Sequence, residues 1–229
     1  MIKIRTIDVF GFDGALYGIR MPFESHEKSD SYFCTYNCGR DGCPYTEDVQ
    51  KRCANHYLMG EKDMGLCKKL IKGGSEHRKF LRMVHVQAEV NAPRYWWTEL
   101  DTYKFVEKNS SSTMHLITKR KLSHEDFSFD SGNCAYNLET LLVGTLNRLI
   151  DEYNRETDKA MKDSIFKQIK TYLPESFMQR RVIDTNYEEL LNIYRQRKNH
   201  RLAEWHTFCS WVEGLPYIHE FISALEEKV

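Results

Sequence analysis

The amino-acid sequence predicts a single α+β domain over residues 1–229, a mixed sheet with long helices, and three observations carry that expectation. Residues 2–9, IKIRTIDV, alternate apolar and polar side chains as a half-buried strand does. Residues 138–155, LETLLVGTLNRLIDEYNR, repeat their apolar positions at helical spacing. No stretch rich in Pro, Gly or Ser marks a linker, and 229 residues of which 41% are hydrophobic can bury a core without cross-links.

The elements follow in order. After the first strand, Gly11, Gly14 and Gly18 punctuate turns. Residues 24–62 are polar and read as a long loop or insertion, Cys-rich around 31–60. Asp63–Lys72 has helical spacing at Met64, Leu66/Cys67 and Leu70/Ile71, and Gly73-Gly74 stops it. Phe80–Val90 reads as a strand with Phe80, Val84, Val86, Ala88 and Val90 on one face. Pro93 suits the first position of a helix through Tyr95, Trp96, Leu100 and Tyr103. Residues 159–172 form a weaker helical partner for 138–155, ended by Leu173-Pro174. One long helix is expected from Tyr187 to Val212, and a short one closes the chain.

Composition narrows the function classes. Lys+Arg and Asp+Glu both number 33, so the chain has no general electrostatic pull toward nucleic acid or membrane, and an anion must be held by a local site. The first residues, MIKIRTIDVFGFDG, lack the basic-then-apolar pattern of a signal peptide, and no window approaches the roughly 18 consecutive apolar residues of a membrane helix. A cytoplasmic protein with reduced thiols is expected. Cys34, Cys38, Cys43 and Cys53, with His56 beyond them, crowd into 23 residues. Thiolates and an imidazole in a reduced loop suit tetrahedral zinc, although the spacing is not that of paired Cys-x-x-Cys knuckles, and free thiols in an insertion are the alternative.

The richest stretch is Asn186–Val212. At about 100° per residue, the interval from Asn186 to Arg197 returns the two side chains to within about 20° of each other. Leu190 and Ile193 lie near the same line, so Arg197 shares a face with apolar residues. A guanidinium there needs a carboxylate, phosphate or planar carbonyl edge, which a nucleotide supplies and which Glu204 or a neighbouring chain supplies equally well. Tyr95, Trp96 and Trp97 suit stacking on a planar ring but more commonly fill a core. His200 and His206 read as surface or core histidines. No P-loop, dinucleotide-binding glycine pattern or hydrolase elbow is present.

The run Leu173–Arg197, LPESFMQRRVIDTNYEELLNIYRQR, resembles the C-terminal signature of the flavin-dependent thymidylate synthases (ThyX). That signature is a Leu-Pro pair, then a helix beginning Asn-Leu-Arg that carries a later Asn and a final Arg. Glu76-His77 before an apolar strand matches a second element, and Asn109-Ser-Ser-Ser112-Thr-Met-His115 falls on the family's Asn-Glu-x-Ser-x-Arg-Tyr. YWWTELDTYK and EWHTFCSWVEGLPY resemble a divergent ThyX-like group of phage and gut-bacterial sequences.

The resemblance implies FAD as cofactor, with His77, Asn109, Asn186, Asn192 and Lys104 beside it. It implies a pyrimidine nucleotide, deoxyuridylate in the family, with Arg197 reading the uracil edge and Ser112, Glu99 and Lys170 on the nucleotide side. It also implies NADPH, methylenetetrahydrofolate and a homotetramer whose sites draw on several subunits. An apolar pattern on several sides of the last long helix (Leu190, Leu191, Tyr194, Leu202, Trp205, Phe208, Trp211) points the same way.

The departures are specific. The family's flavin-gripping Arg-His-Arg falls on Thr102-Tyr103-Lys104, its preceding Arg-Gln pair on Thr98-Glu99, and the Arg of Ser-x-Arg-Tyr on Met114. Each cation lost removes charge-assisted hydrogen bonds worth about 1.5–3 kcal/mol. Arg94, Arg20 and Lys170 are the candidate substitutes. Two functions therefore stand: a flavin-dependent one-carbon transferase acting on a uracil nucleotide, or a catalytically inactive protein that binds or sequesters a nucleotide.

Overall fold

The computed structural model describes residues 1–34, 43–44, 56–129 and 136–227. The fold is α+β, as expected. Its main sheet has four strands in the order β1-β4-β6-β5, formed by β1 (Lys3–Phe10), β4 (His85–Pro93), β6 (Met178–Asn186) and β5 (Val106–Ser110). The chain divides into two compact units, one of residues 1–3, 91–102 and 109–181, the other of residues 4–90, 103–108 and 182–229.

The unit containing residues 109–181 is built on two helices, α5 (Tyr136–Arg155) and α6 (Lys159–Tyr172), which pack against each other. Leu146, Leu149 and Ile150 of α5 and Ile165 and Ile169 of α6 recur at three- and four-residue intervals, so each helix turns one apolar stripe into a shared core. Asp158 caps α6 by accepting the Met161 N–H at 2.9 Å, and Leu173-Pro174 ends it as expected. Helix α3 (Arg94–Leu100) starts one residue later than Pro93, which is the extended N-cap and the last residue of β4. The Trp96 and Trp97 rings are wholly buried, so these aromatics are core rather than a stacking platform.

The second unit holds β1, α1 (Phe12–Arg20) and α2 (Glu61–Lys72), then α7 (Tyr187–Arg197), α8 (Ala203–Glu213) and α9 (Ile218–Glu226). Gly11 joins β1 to α1 at φ 94°, and a Cβ there would sit 2.1 Å from the Met83 carbonyl oxygen, so only glycine allows this close approach. Phe12, Tyr187, Phe221 and Phe80 form its aromatic core through edge-on contacts of 5.4–6.3 Å. The expected insertion is closed by the antiparallel pair β2 (Tyr32–Phe33) and β3 (Tyr57–Leu58), with Tyr32 opposite Leu58.

Two expectations are corrected. Phe80–Val90 is not one strand, because Arg78–Met83 forms a 3₁₀ turn that sends Phe80 and Leu81 into the core. The strict alternation begins only at Val84, and Val86, Ala88, Val90 and Ala92 then line the buried face of β4. The expected helix Tyr187–Val212 is two helices, broken at residues 198–202. Leu202 is extended, and the chain reverses so that Trp205 reaches the face of Arg197. Leu190, Leu191, Tyr194, Trp205 and Phe208 are buried, whereas Leu202 and Trp211 are half-buried.

Candidate functional site

The last turn of α7 carries a hydrogen-bonded polar group of the second unit. Asn186 is the N-cap of this helix: its side-chain oxygen accepts the Glu189 N–H at 3.0 Å. That bond satisfies one of the helix's orphan donors, a contribution of about 1 kcal/mol, so Asn186 has a structural task whatever else it contacts. Three turns on, the Nε–H of Arg197 donates to the Tyr103 hydroxyl at 2.9 Å, and its guanidinium lies 4.6 Å from the centre of the Trp205 ring. The Tyr103 hydroxyl donates in turn to Gln196 at 3.0 Å, and Gln196 donates to Asn192 at 2.9 Å. Arg197, Gln196 and Asn192 thus form one hydrogen-bonded row with a buried tyrosine behind it. Sequence reading found both ends of the row and missed Tyr103 and Trp205 as its supports.

The other expected cofactor-side residues divide between the two units. His77 is 56% exposed, its ring 3.9 Å from the Glu76 carboxylate. Lys104 and Asn109 are exposed, each in a different unit. At the positions of the flavin grip, the Thr102 hydroxyl donates to the Glu99 carbonyl at 2.7 Å and Tyr103 is turned inward onto Arg197. Only Lys104 there offers a cation. A flavin held in the ThyX family's manner does not fit these three side chains.

The unit with α5 and α6 holds Ser112, Lys170 and Glu99, the residues expected on the nucleotide side. Ser112 precedes the short helix α4 (Thr113–Leu116) and borders a cleft of about 620 Å³ lined also by Ser111, Thr113, Asn91, Arg120 and Arg180. The Lys170 ammonium donates to the Thr113 hydroxyl beside it. Burial pushes the Lys170 pKa down, and the nearby Arg94 charge adds to the effect. Two cations held close together and partly desolvated form a place where an anion is welcome. Arg94 is shared with the Leu173 carbonyl and Glu175, both at 3.3 Å. Arg120 is engaged by Asp126 in a forked pair. Met114, standing where the family has arginine, is 59% exposed. Glu99 is half-buried on α3.

Arg20 is no phosphate substitute. It is buried, its guanidinium 2.5 Å from the Asp63 carboxylate, which also accepts the hydroxyls of Ser29 at 2.6 Å and Ser31 at 2.5 Å. Of the zinc candidates, Cys34 is buried and Cys43 half-buried, whereas Cys38 and Cys53 lie outside the described residues. Among the described residues no group of three or more His, Cys, Asp or Glu side chains is placed to hold a metal. Nor is any helix among them long and apolar enough to cross a membrane.

The order and placement of these elements define a known class of fold, that of the flavin-dependent thymidylate synthases. Two solved structures of ThyX from Helicobacter pylori, each with FAD and dUMP, superpose with a TM-score of 0.66 at 17% sequence identity. One alignment covers 96% of this chain and 97% of the other, the second 99% and 100%. No protein-family model matches the sequence, and no curated protein is similar to it in sequence.

Proposed function

We propose that this protein binds a uracil nucleotide on a ThyX-type fold, with Arg197 as the group that reads the base. The observation that carries the reading is the mounting of Arg197: Nε bonded to a buried tyrosine hydroxyl and the guanidinium plane backed by the Trp205 ring. A planar fork held in this way suits a planar carbonyl-bearing edge. For Ser112, Glu99 and Lys170 the nucleotide-side role rests on the resemblance; within their own unit the cleft at Ser112 and the depressed Lys170 favour an anion. Calorimetric titration with deoxyuridylate tests the reading. Micromolar binding is expected, and absence of binding by any pyrimidine nucleotide would end it.

Whether the bound nucleotide is chemically altered is a separate matter. The transferase reading takes a one-carbon unit from methylenetetrahydrofolate, with NADPH and reduced FAD, and it draws on His77, Asn109, Asn186, Asn192 and Lys104. The binding-only reading draws on the inward turn of Tyr103 and the loss of two of the three gripping cations. That observation favours a nucleotide-binding protein whose flavin, if held, is held differently. The absorbance spectrum of the purified protein separates them: visible flavin bands, native or after reconstitution, support the transferase, and a protein that stays colourless with excess FAD supports binding alone.

The tetramer rests on the resemblance. Light scattering after size exclusion is expected to give four times the 27.2 kDa chain mass, and a 27.2 kDa particle at micromolar concentration would exclude sites that draw on several subunits.

A further inference from the structure

Tyr103 lies in the turn after α3, yet only 8% of it is exposed. Its phenol is used twice, accepting the Arg197 Nε–H at 2.9 Å and donating its own proton to the Gln196 side-chain oxygen at 3.0 Å. The second bond fixes the first: with the hydroxyl proton committed to Gln196, the oxygen lone pairs are left toward Arg197. Gln196 is itself held by its donation to Asn192 at 2.9 Å. From another side, Trp205 lies under the guanidinium at 4.6 Å and meets the Tyr103 ring edge-on at 6.4 Å. An arginine has several rotatable bonds, and their freedom must be surrendered when it grips a ligand. Here the surrender has already been made during folding. A neutral phenol suits this role because it accepts a hydrogen bond without placing a second positive charge beside the guanidinium.

We propose that Tyr103 is a positioning residue for Arg197, holding the guanidinium in the plane in which it meets a pyrimidine nucleotide. The position that departs from the flavin-gripping pattern is thereby turned to the nucleotide side. The proposal rests on the nucleotide reading of Arg197, and the test separates the two. The full chain is titrated calorimetrically with deoxyuridylate as wild type, Tyr103→Phe, Arg197→Lys and the double variant. Phenylalanine keeps the buried ring and removes only the hydroxyl. Tyr103→Phe is expected to weaken binding about tenfold with a melting temperature within about 2 °C of wild type. In the Arg197→Lys background, which lacks the Nε–H, the same change is expected to add nothing.

Wild-type affinity in Tyr103→Phe, or a loss of equal size in both backgrounds, overturns the positioning role and leaves the nucleotide reading intact. Failure of the wild type to bind any pyrimidine nucleotide overturns the nucleotide reading itself, and the role of Tyr103 with it. Should Tyr103→Phe fold poorly, Gln196→Leu removes the acceptor that orients the hydroxyl from an exposed side chain. About a threefold loss is expected, and no loss overturns the proposal.

Discussion

Arg197→Ala is expected to lower deoxyuridylate affinity by about 2–4 kcal/mol, roughly 30- to 1000-fold, because a charged planar contact held in advance is lost whole. Stability should fall by less than the affinity does, by about 2 kcal/mol. The variant gives up a hydrogen bond to Tyr103 and a stack on Trp205, each worth about 1 kcal/mol at a half-exposed site. The two measurements together identify a ligand contact rather than a folding residue. Equal affinity in variant and wild type would remove Arg197 from the site.

The second large effect concerns stability. Asp63→Ala should cost about 3–5 kcal/mol, because Arg20 stays buried without its carboxylate and the Ser29 and Ser31 hydroxyls lose their acceptor. In a chain of this size that is a fall of about 10 °C or more in melting temperature. Replacing both members of the pair, Arg20→Met with Asp63→Leu, should recover much of the loss, since no uncompensated charge then remains. A melting point unchanged by Asp63→Ala would show that the network contributes nothing.

The same carboxylate sets a pH dependence. Burial alone would raise its pKa, but the hydrogen bonds from Ser29, Ser31 and Arg20, with the Arg20 charge, outweigh burial and hold it below the ordinary 3.8. A depressed folded-state pKa means that the contribution is complete above the ordinary value. It fades as pH falls through the depressed one. Wild-type stability should therefore drop on the acid side of about pH 4 more steeply than that of the Arg20→Met, Asp63→Leu protein.

Much of the fold was legible because it depends on near neighbours. The stripes of α5 and α6, the stop after Lys72 and the alternation over Val86, Ala88 and Val90 each follow from a period or a cap written within a dozen residues. The resemblance placed Arg197 and Asn186 from spacing along one helix. What spacing could not reveal was their separate tasks, Asn186 capping the start of the helix and Arg197 leaning on an aromatic pair at its end.

The sequence alone determined the α+β class, the helix that carries Arg197 and the loss of cations at Thr102-Tyr103-Lys104. Tertiary structure decided where those departures point. Tyr103 meets Arg197 across 94 positions, and Asp63 meets Arg20 across 43, distances over which no periodicity carries information. The break at residues 198–202 was hidden for a related reason. Helical spacing persists on both sides of it, and only the burial gained when Trp205 and Phe208 fold back onto their own unit makes the turn favourable over a continuous helix.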